Sequence, residues 1–315
     1  MFEYSPYQPT DETAVRDVWM QAFDTVAAYW PDFVRRIGAE NLRVLRTGGA
    51  PIGLLGVYRM GQWFGGKCVP SGGLAAVAIA PEHRHRGGAK LMLTRTLAEL
   101  RAAGVPLASL YPSSQAVYRA VGFEQGGSRC HYELPLRHIG LNERGPAARR
   151  MPMTDAGAFA DVYRRRAERE SGLLERTAGL WERLLVNPLG HPQFGYVVEE
   201  KGVPTGYLIY YLDDAGPAEP TKIFVRDWCA LTPAAAQRIW TLIADHGSIV
   251  ESVSWFGSAN EPMLAHVAEF KLSKMKPQRW MLRVLRCRRG SVAARISSDD
   301  GRAASGSERS GDRRE

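Results

Sequence analysis

From Ala78 to Met92 the chain reads AIAPEHRHRGGAKLM. An apolar run stops at Pro81. Two histidines, two arginines and two glycines follow, and an apolar pattern of helical spacing begins at Leu91. The first amides of a helix have no partner within the helix, and the helix dipole adds partial positive charge there. Glycine lets an anion come close to those amides. The stretch from Arg84 to Ala89 therefore has the composition of an anion cradle, with Arg86 and Lys90 as full charges beside it. A pyrophosphate is its natural guest. The patterns GxxxxGK[ST] and GxGxxG are both absent, which argues against a nucleoside triphosphate or a dinucleotide. No third histidine or acid joins His83 and His85 in a metal-binding pattern, so they read as solvated turn residues and no metal is expected.

A strand must end at this loop and a helix must leave it. GLAAVAIAP supplies the strand, and the helix carries Leu91, Met92, Leu97 and Leu100 on one side before stopping at Gly104. Upstream, FEYSPYQP reads as a strand. Thr10 caps a helix with Val15, Val18, Trp19, Ala22 and Phe23 at helical spacing, and a second helix covers Asp32 to Ile37. Leu42–Arg46 and Pro51–Met60 form a hairpin around TGGA. Downstream come the strand VPLASLY, a short helix SSQAVYRAV and the strand RCHYELPL. The order predicts an α/β or α+β domain with a mixed sheet over residues 1–136.

Residues 137–150 lack periodicity and read as a linker. Residues 151–285 repeat the order: two helices, a hairpin around KGVP, a strand, a helix capped by Thr232 with Pro233 at its first position, and two strands. Where the first half has RHRGGA, the second has CALTPAA, with a proline and no glycine. From 286 to 315 eight arginines stand against five acids among serines and glycines, and this tail is expected to be disordered.

The composition is that of an ordinary globular chain: 45% apolar and 23% charged over 315 residues, with a net charge of +8. The apolar run Leu74–Ala80 is far too short to cross a bilayer, and the first residues lack the basic and apolar pattern of a signal peptide, so a cytoplasmic location is expected. Cys68, Cys130, Cys229 and Cys287 are scattered without a CxxC pattern and are expected to be reduced. The basic excess leaves nucleic acid open as a partner on charge alone, but no RNP motif, zinc finger or helix-turn-helix signature supports it.

The spacing R-x-x-G-x-A over Arg84, Gly87 and Ala89 resembles the pyrophosphate loop of GNAT N-acetyltransferases. With GLAAVAIAPEHRHRG, AGVPLASLYPSSQAVYRAVGF and GLLERTAGLWERLL, the chain over residues 1 to 285 resembles the Eis (enhanced intracellular survival) family. The resemblance implies two tandem GNAT folds, the second degenerate, followed in the family by a sterol-carrier-like domain. It implies acetyl transfer from acetyl-CoA to a primary amine of a small molecule, such as an aminoglycoside or polyamine, or of a lysine, in a homo-hexamer and without a membrane. Carried over by position, Val77, Ala78 and Ile79 offer backbone groups to the pantetheine arm. His85, Arg86, Gly87, Gly88, Ala89 and Lys90 hold the pyrophosphate, and Ser113 and Ser114 line the cofactor. Tyr118 takes the place of the general acid, with Tyr111 in reserve. A phenol is protonated at neutral pH and can donate to a departing thiolate. Asp24 and Trp30 are the first substrate candidates, with Tyr29, Asp32, Tyr58, Trp63 and Phe64 behind them. In the family the terminal carboxylate of the third domain is implicated as general base. That domain is not recognisable after Leu285, where a truncation or a shifted reading frame is suspected. The alternative reading is thus a catalytically impaired acyl-CoA-binding protein.

Overall fold

The first half of the chain runs β1 (Phe2–Pro6), α1 (Glu12–Phe23), α2 (Trp30–Ile37), β2 (Leu42–Thr47), β3 (Ala50–Phe64), β4 (Lys67–Ile79), α3 (Gly88–Ala102), β5 (Leu107–Leu110), α4 (Gln115–Arg119) and β6 (Glu124–Pro135). The second runs β7 (Ala147–Met151), α5 (Gly157–Ala167), β8 (Leu174–Glu175), α6 (Ala178–Leu185), β9 (Gln193–Glu200), β10 (Val203–Asp213), β11 (Lys222–Ala230), α7 (Pro233–Ala244), β12 (Ser252–Gly257) and β13 (Lys274–Val284). This computed structural model describes residues 1–187, 190–213, 216 and 220–286. The tail expected to be disordered lies, after Arg286, outside the described residues, and so does Cys287. Among the described residues no helix is long and apolar enough to cross a membrane.

The strands form one sheet in the order β1-β2-β3-β4-β5-β13-β6-β12-β11-β10-β9-β7, with β8 beside β3. Only β4–β5 and β11–β12 pair in parallel, each joined through a helix, α3 or α7. The split at 136 and 151 does not divide this sheet. The last strand of the second half, β13, lies between β5 and β6 of the first, with Leu110 opposite Met281 and Arg129 opposite Gln278. In turn β6 passes to β12, with Tyr132 opposite Trp255. Gly126 and Gly127 make the exchange possible, because a Cβ on either would stand within 2.4 or 2.7 Å of the Trp280 ring.

Two local expectations are corrected, and one element is added. Thr10 does not cap α1. It lies in a 3-10 turn; Asp11 stands at the N-cap of α1 without a side-chain cap bond, and its carboxylate instead accepts from the Gln8 amide at 2.9 Å and pairs with Arg46 at 2.6 Å. The linker is shorter than expected, because its last residues open β7, which pairs Ala147 with Glu199 at the sheet edge. An edge strand with its arginines in solvent shows no apolar alternation. The two-residue β8 gave no signal at all and exists only through β3, where Glu175 lies opposite Gly61.

Helices α3, α4 and α7 cover one face of the sheet, and α1, α2, α5 and α6 cover the other. Under α1 and α2, Trp30 is 1% exposed and packs on Trp19, Phe33 and Tyr7 with ring centroids 5.5, 5.7 and 6.4 Å away. Trp30→Ala is expected to cost about 3–5 kcal/mol of stability, read as a loss of denaturation midpoint. Helices α2 and α6 join the two halves on this face. Arg35 pairs with both Asp32 and Glu182, and Gly179 lets α6 approach the Arg36 carbonyl, where a Cβ would stand at 2.7 Å.

Candidate functional site

The site begins where β4 leaves β5. Their pairing covers only Ser71, Gly73 and the residue between, opposite Leu107–Ser109, whereas β4 runs on to Ile79. A bulge lies in the unpaired stretch. Register with β3 shifts between Leu54–Ala78 and Gly56–Ala75, and Ala76 takes φ 52°. An extra residue bends the strand and sharpens its twist, which opens the gap to β5. A left-handed alanine costs about 1–2 kcal/mol and is held here by the strands around it. The sequence carried no sign of it, since alanine has no special liking for this conformation.

The open edge decides among Val77, Ala78 and Ile79. Ala80 donates to the Ile52 carbonyl at 2.8 Å. The antiparallel alternation then turns the polar groups of Ala78 toward β3 and those of Ile79 toward the gap. Ala78 is corrected: its polar groups face β3 and its side chain is buried with Val18 and Ala80. Ile79 has its N–H toward the gap, but its carbonyl already accepts from Arg84 Nε at 2.9 Å.

Beyond Ile79 the chain makes a 3-10 turn over Pro81–His83, then His85 and Gly87 adopt φ 60° and 84°. Alternating left-handed residues point successive amides to one side, which forms an anion-binding concavity. Gly87 is the N-cap of α3 and offers no side-chain cap. The amides of Gly88, Ala89 and Lys90 therefore lack a capping side chain. Among the described residues no carboxylate pairs with Arg84, Arg86 or Lys90. The two glycines differ in role. A Cβ on Gly87 meets nothing within 4 Å, whereas on Gly88 it would stand 2.7 Å from Leu45 Cδ2. Gly87 leaves room for a guest and Gly88 lets α3 lie on the sheet. Gly87→Val is expected to weaken acetyl-CoA binding at least tenfold, with some loss of Tm because φ 84° strains a β-branched residue. Gly88→Val is expected to lower Tm first, at a cost of about 1–3 kcal/mol from overpacking. Calorimetric titration and thermal unfolding separate the two.

Across the gap, Tyr118 on α4 is 6% exposed, with its ring edge-on to Phe123 at 6.1 Å. Burial raises its pKa, and a hydrogen bond with Ser113 pulls weakly the other way. Ser113 and Ser114 are exposed on the turn into α4, and Ser114 caps that helix without a side-chain bond. Tyr111 lies just past β5 and is 53% exposed, with the Arg129 guanidinium 4.4 Å from its ring centre. Its pKa is raised by burial against the sheet and eased by Arg129.

The acceptor candidates fare unevenly. Trp30 is corrected, since it is enclosed under α1 and α2 and cannot touch a substrate. Asp24 is exposed and ends α1 in the left-handed region, with φ 46°. Asp32 is engaged by Arg35, and Trp63 Nε1 donates to Glu175 at 2.8 Å. Among the described residues no cluster of metal-binding side chains occurs.

Sequence models of the acetyltransferase (GNAT) domain match residues 3–126 and 172–284. The solved GCN5-related N-acetyltransferase from Anabaena variabilis superposes with a TM-score of 0.86 at 30% identity, over 91% of this chain and 73% of that one. The chain belongs to the GCN5-related N-acetyltransferase (GNAT) family. An uncharacterized N-acetyltransferase of Streptomyces avermitilis is 28% identical over 63% of the chain and 51% of its own length. The N-acetyltransferase Eis of Mycobacterium tuberculosis is 26% identical over 62% of the chain and 54% of its own. The chain thus spans about half the length of the curated relatives it matches, and the Eis-like resemblance is borne out.

The second GNAT fold closes what the first leaves open. Thr232 Oγ1 accepts from the Ala235 amide at 3.1 Å, so the helix start caps itself. The Glu200 carboxylate bonds to Thr232 and to Thr205, which puts negative charge where a phosphate would need the opposite. Inside, Trp228, Trp240 and Trp255 pack with centroids 5.0–5.6 Å apart, and Trp240 Nε1 donates to the Met263 carbonyl at 2.7 Å.

Proposed function

We propose that the chain is an acetyl-CoA-dependent N-acetyltransferase for primary amines, with its cofactor in the first GNAT fold. The gap between β4 and β5 beside an uncapped α3 carries this reading. Val77 and the Ile79 amide bond the pantetheine along the open strand edge, as an added strand would. His85, Arg86, Gly87, Gly88, Ala89 and Lys90 hold the pyrophosphate, with Ser113 and Ser114 alongside.

The amine reaches the thioester from the face under α1, α2, α5 and α6. It first gives its extra proton to solvent. Its nitrogen forms a C–N bond to the carbonyl carbon, the C–S bond breaks, and the sulfur takes a proton from Tyr118. The phenoxide regains a proton as the new amide nitrogen loses one through solvent. A homo-hexamer and a cytoplasmic location belong to the same reading.

Release of free thiol from acetyl-CoA over a panel of amines tests it, with calorimetry on the cofactor alone. Cofactor binding with no release from any amine would replace transfer by acyl-CoA binding. Absence of both would end the proposal.

A further inference from the structure

Helices α1 and α2 cover the acceptor face over β2–β4, and α5 and α6 cover it over β9–β11. Between them the face is floored by β5, β13, β6 and β12. Register fixes what this strip presents. Tyr111 follows β5. On β13 and β6, Gln278 lies opposite Arg129, Lys276 opposite His131, and Lys274 opposite Glu133. On β12, Phe256 lies opposite His131.

Arg129 is held rigidly at the centre. Its guanidinium stands between the rings of Tyr111 and Phe256, 4.4 and 4.3 Å from their centres, and its Nε donates to Gln278 Oε1 at 2.9 Å. The two rings and the Gln278 bond fix the guanidinium and engage its Nε, which leaves Nη1 and Nη2 as the donors it can offer a ligand. Among the described residues no carboxylate pairs with it. Glu133 is taken by Lys222 at 3.2 Å and by Ser252 at 3.1 Å. Lys276 and Lys274, opposite His131 and Glu133, are exposed farther along the same strip, and His131 Nε2 is enclosed without a hydrogen-bond partner. The positive surroundings are felt by His131, whose pKa is lowered by burial first and then by Lys274, Arg129 and Lys222 against Glu133.

A fixed guanidinium edge with free donors suits a planar carboxylate, which it can bind through two parallel bonds. Its place matters as much as its chemistry. Tyr111 begins two residues after Ser109, the last β5 residue paired to β4, so Arg129 stands at the mouth of the gap. A polyamine brought there would meet Arg129, Lys274 and Lys276 with like charge.

We propose that this strip is an anion subsite for the acceptor, so that the substrate class is a small amine carrying a carboxylate. The inference rests on the acetyltransferase reading for its amine, but the anion site can be measured apart from it. Two readouts are used on the full chain. The first is thiol release with glycine, β-alanine, 4-aminobutyrate and 5-aminopentanoate, each beside its carboxamide, and with 1,4-diaminobutane. The second is direct binding of the N-acetylated carboxylates and their amides, followed by NMR or calorimetry.

At least one spacer length is expected to favour the carboxylate tenfold or more in both readouts, with the preference shrinking at high salt. Arg129→Gln is expected to remove that preference, lowering use of the carboxylate tenfold or more relative to its carboxamide. Arg129→Lys, which keeps charge but lacks the fork, retains part of it and guards against misfolding, with Tm checked for both variants. Equal use of carboxylate and carboxamide, a preference for the diamine, or equal losses on both substrates in Arg129→Gln would each overturn the subsite. Thiol release without carboxylate preference defeats this inference alone. Carboxylate binding without thiol release upholds the subsite and defeats transfer.

Discussion

Tyr118→Phe is expected to lower kcat for amine acetylation by about 10²- to 10³-fold while acetyl-CoA affinity changes little. The size follows from the role. A thiolate leaving without a proton must be stabilised by water alone, and a positioned general acid contributes a factor of this order. The phenol sits on α4 beside Ser113, and burial raises its pKa above the usual tyrosine range. The sign of its pH dependence follows. Tyr118 stays protonated through neutral pH and can contribute only an alkaline fall in rate, displaced upward by its burial. In Tyr118→Phe that fall should vanish along with the rate. Losing one hydroxyl that bonds to an exposed serine costs about 1 kcal/mol, so folding should survive. Stopped-flow thiol release and calorimetric titration of the cofactor make the measurement. Undiminished kcat would pass the role to Tyr111, whose phenol is the other one beside the gap.

A chain stopped after Leu272 loses β13, and we expect it to lose cooperative folding altogether. Fragment 1–136 should fail in the same way. In both, β5 and β6 stand in the middle of the sheet with a missing neighbour. The amides and carbonyls of Gly127–Glu133 then have no partner on that side, and Trp280 no longer covers Gly126 and Gly127. Water can reach that bare edge, so the larger loss is apolar: Met281 and Leu285 leave the core beside α3, and uncovering side chains of this size costs about 1.5–3 kcal/mol each. A few such losses reach the 5–15 kcal/mol by which a typical domain is stable. Co-expression of 1–136 with 137–315 should restore a folded complex, because β13 and β6 can then exchange across two chains. A sharp thermal transition and dispersed amide NMR signals from fragment 1–136 by itself would refute the exchange.

These two experiments mark different levels of legibility. The loop between β4 and α3 was readable because its chemistry is local. An uncapped helix start, a glycine at positive φ and unpaired cations all follow from residues within one short stretch. Position also carried Tyr118, since a short helix after two serines can be aligned by pattern. Trp30 misled because an aromatic residue next to a loop reads alike whether it lines a cleft or fills a core. Only the approach of Trp19, Phe33 and Tyr7 shows that it is enclosed. Arg129 had no pattern of its own. Its meaning comes from Tyr111, Phe256 and Gln278, which lie on three other segments.

By itself, then, the sequence determined the order of elements, the duplicated plan, and the glycine turn before α3 that a capping threonine and a proline replace in the second copy. Those features depend on periodicity and on backbone preferences that neighbouring residues set among themselves. Tertiary structure decided which strands meet, which residues of β4 face the gap, and which cation is left without a counter-charge. A β-strand chooses its neighbour by pairing with residues far away in the chain, and its own pattern names a buried face but never the partner.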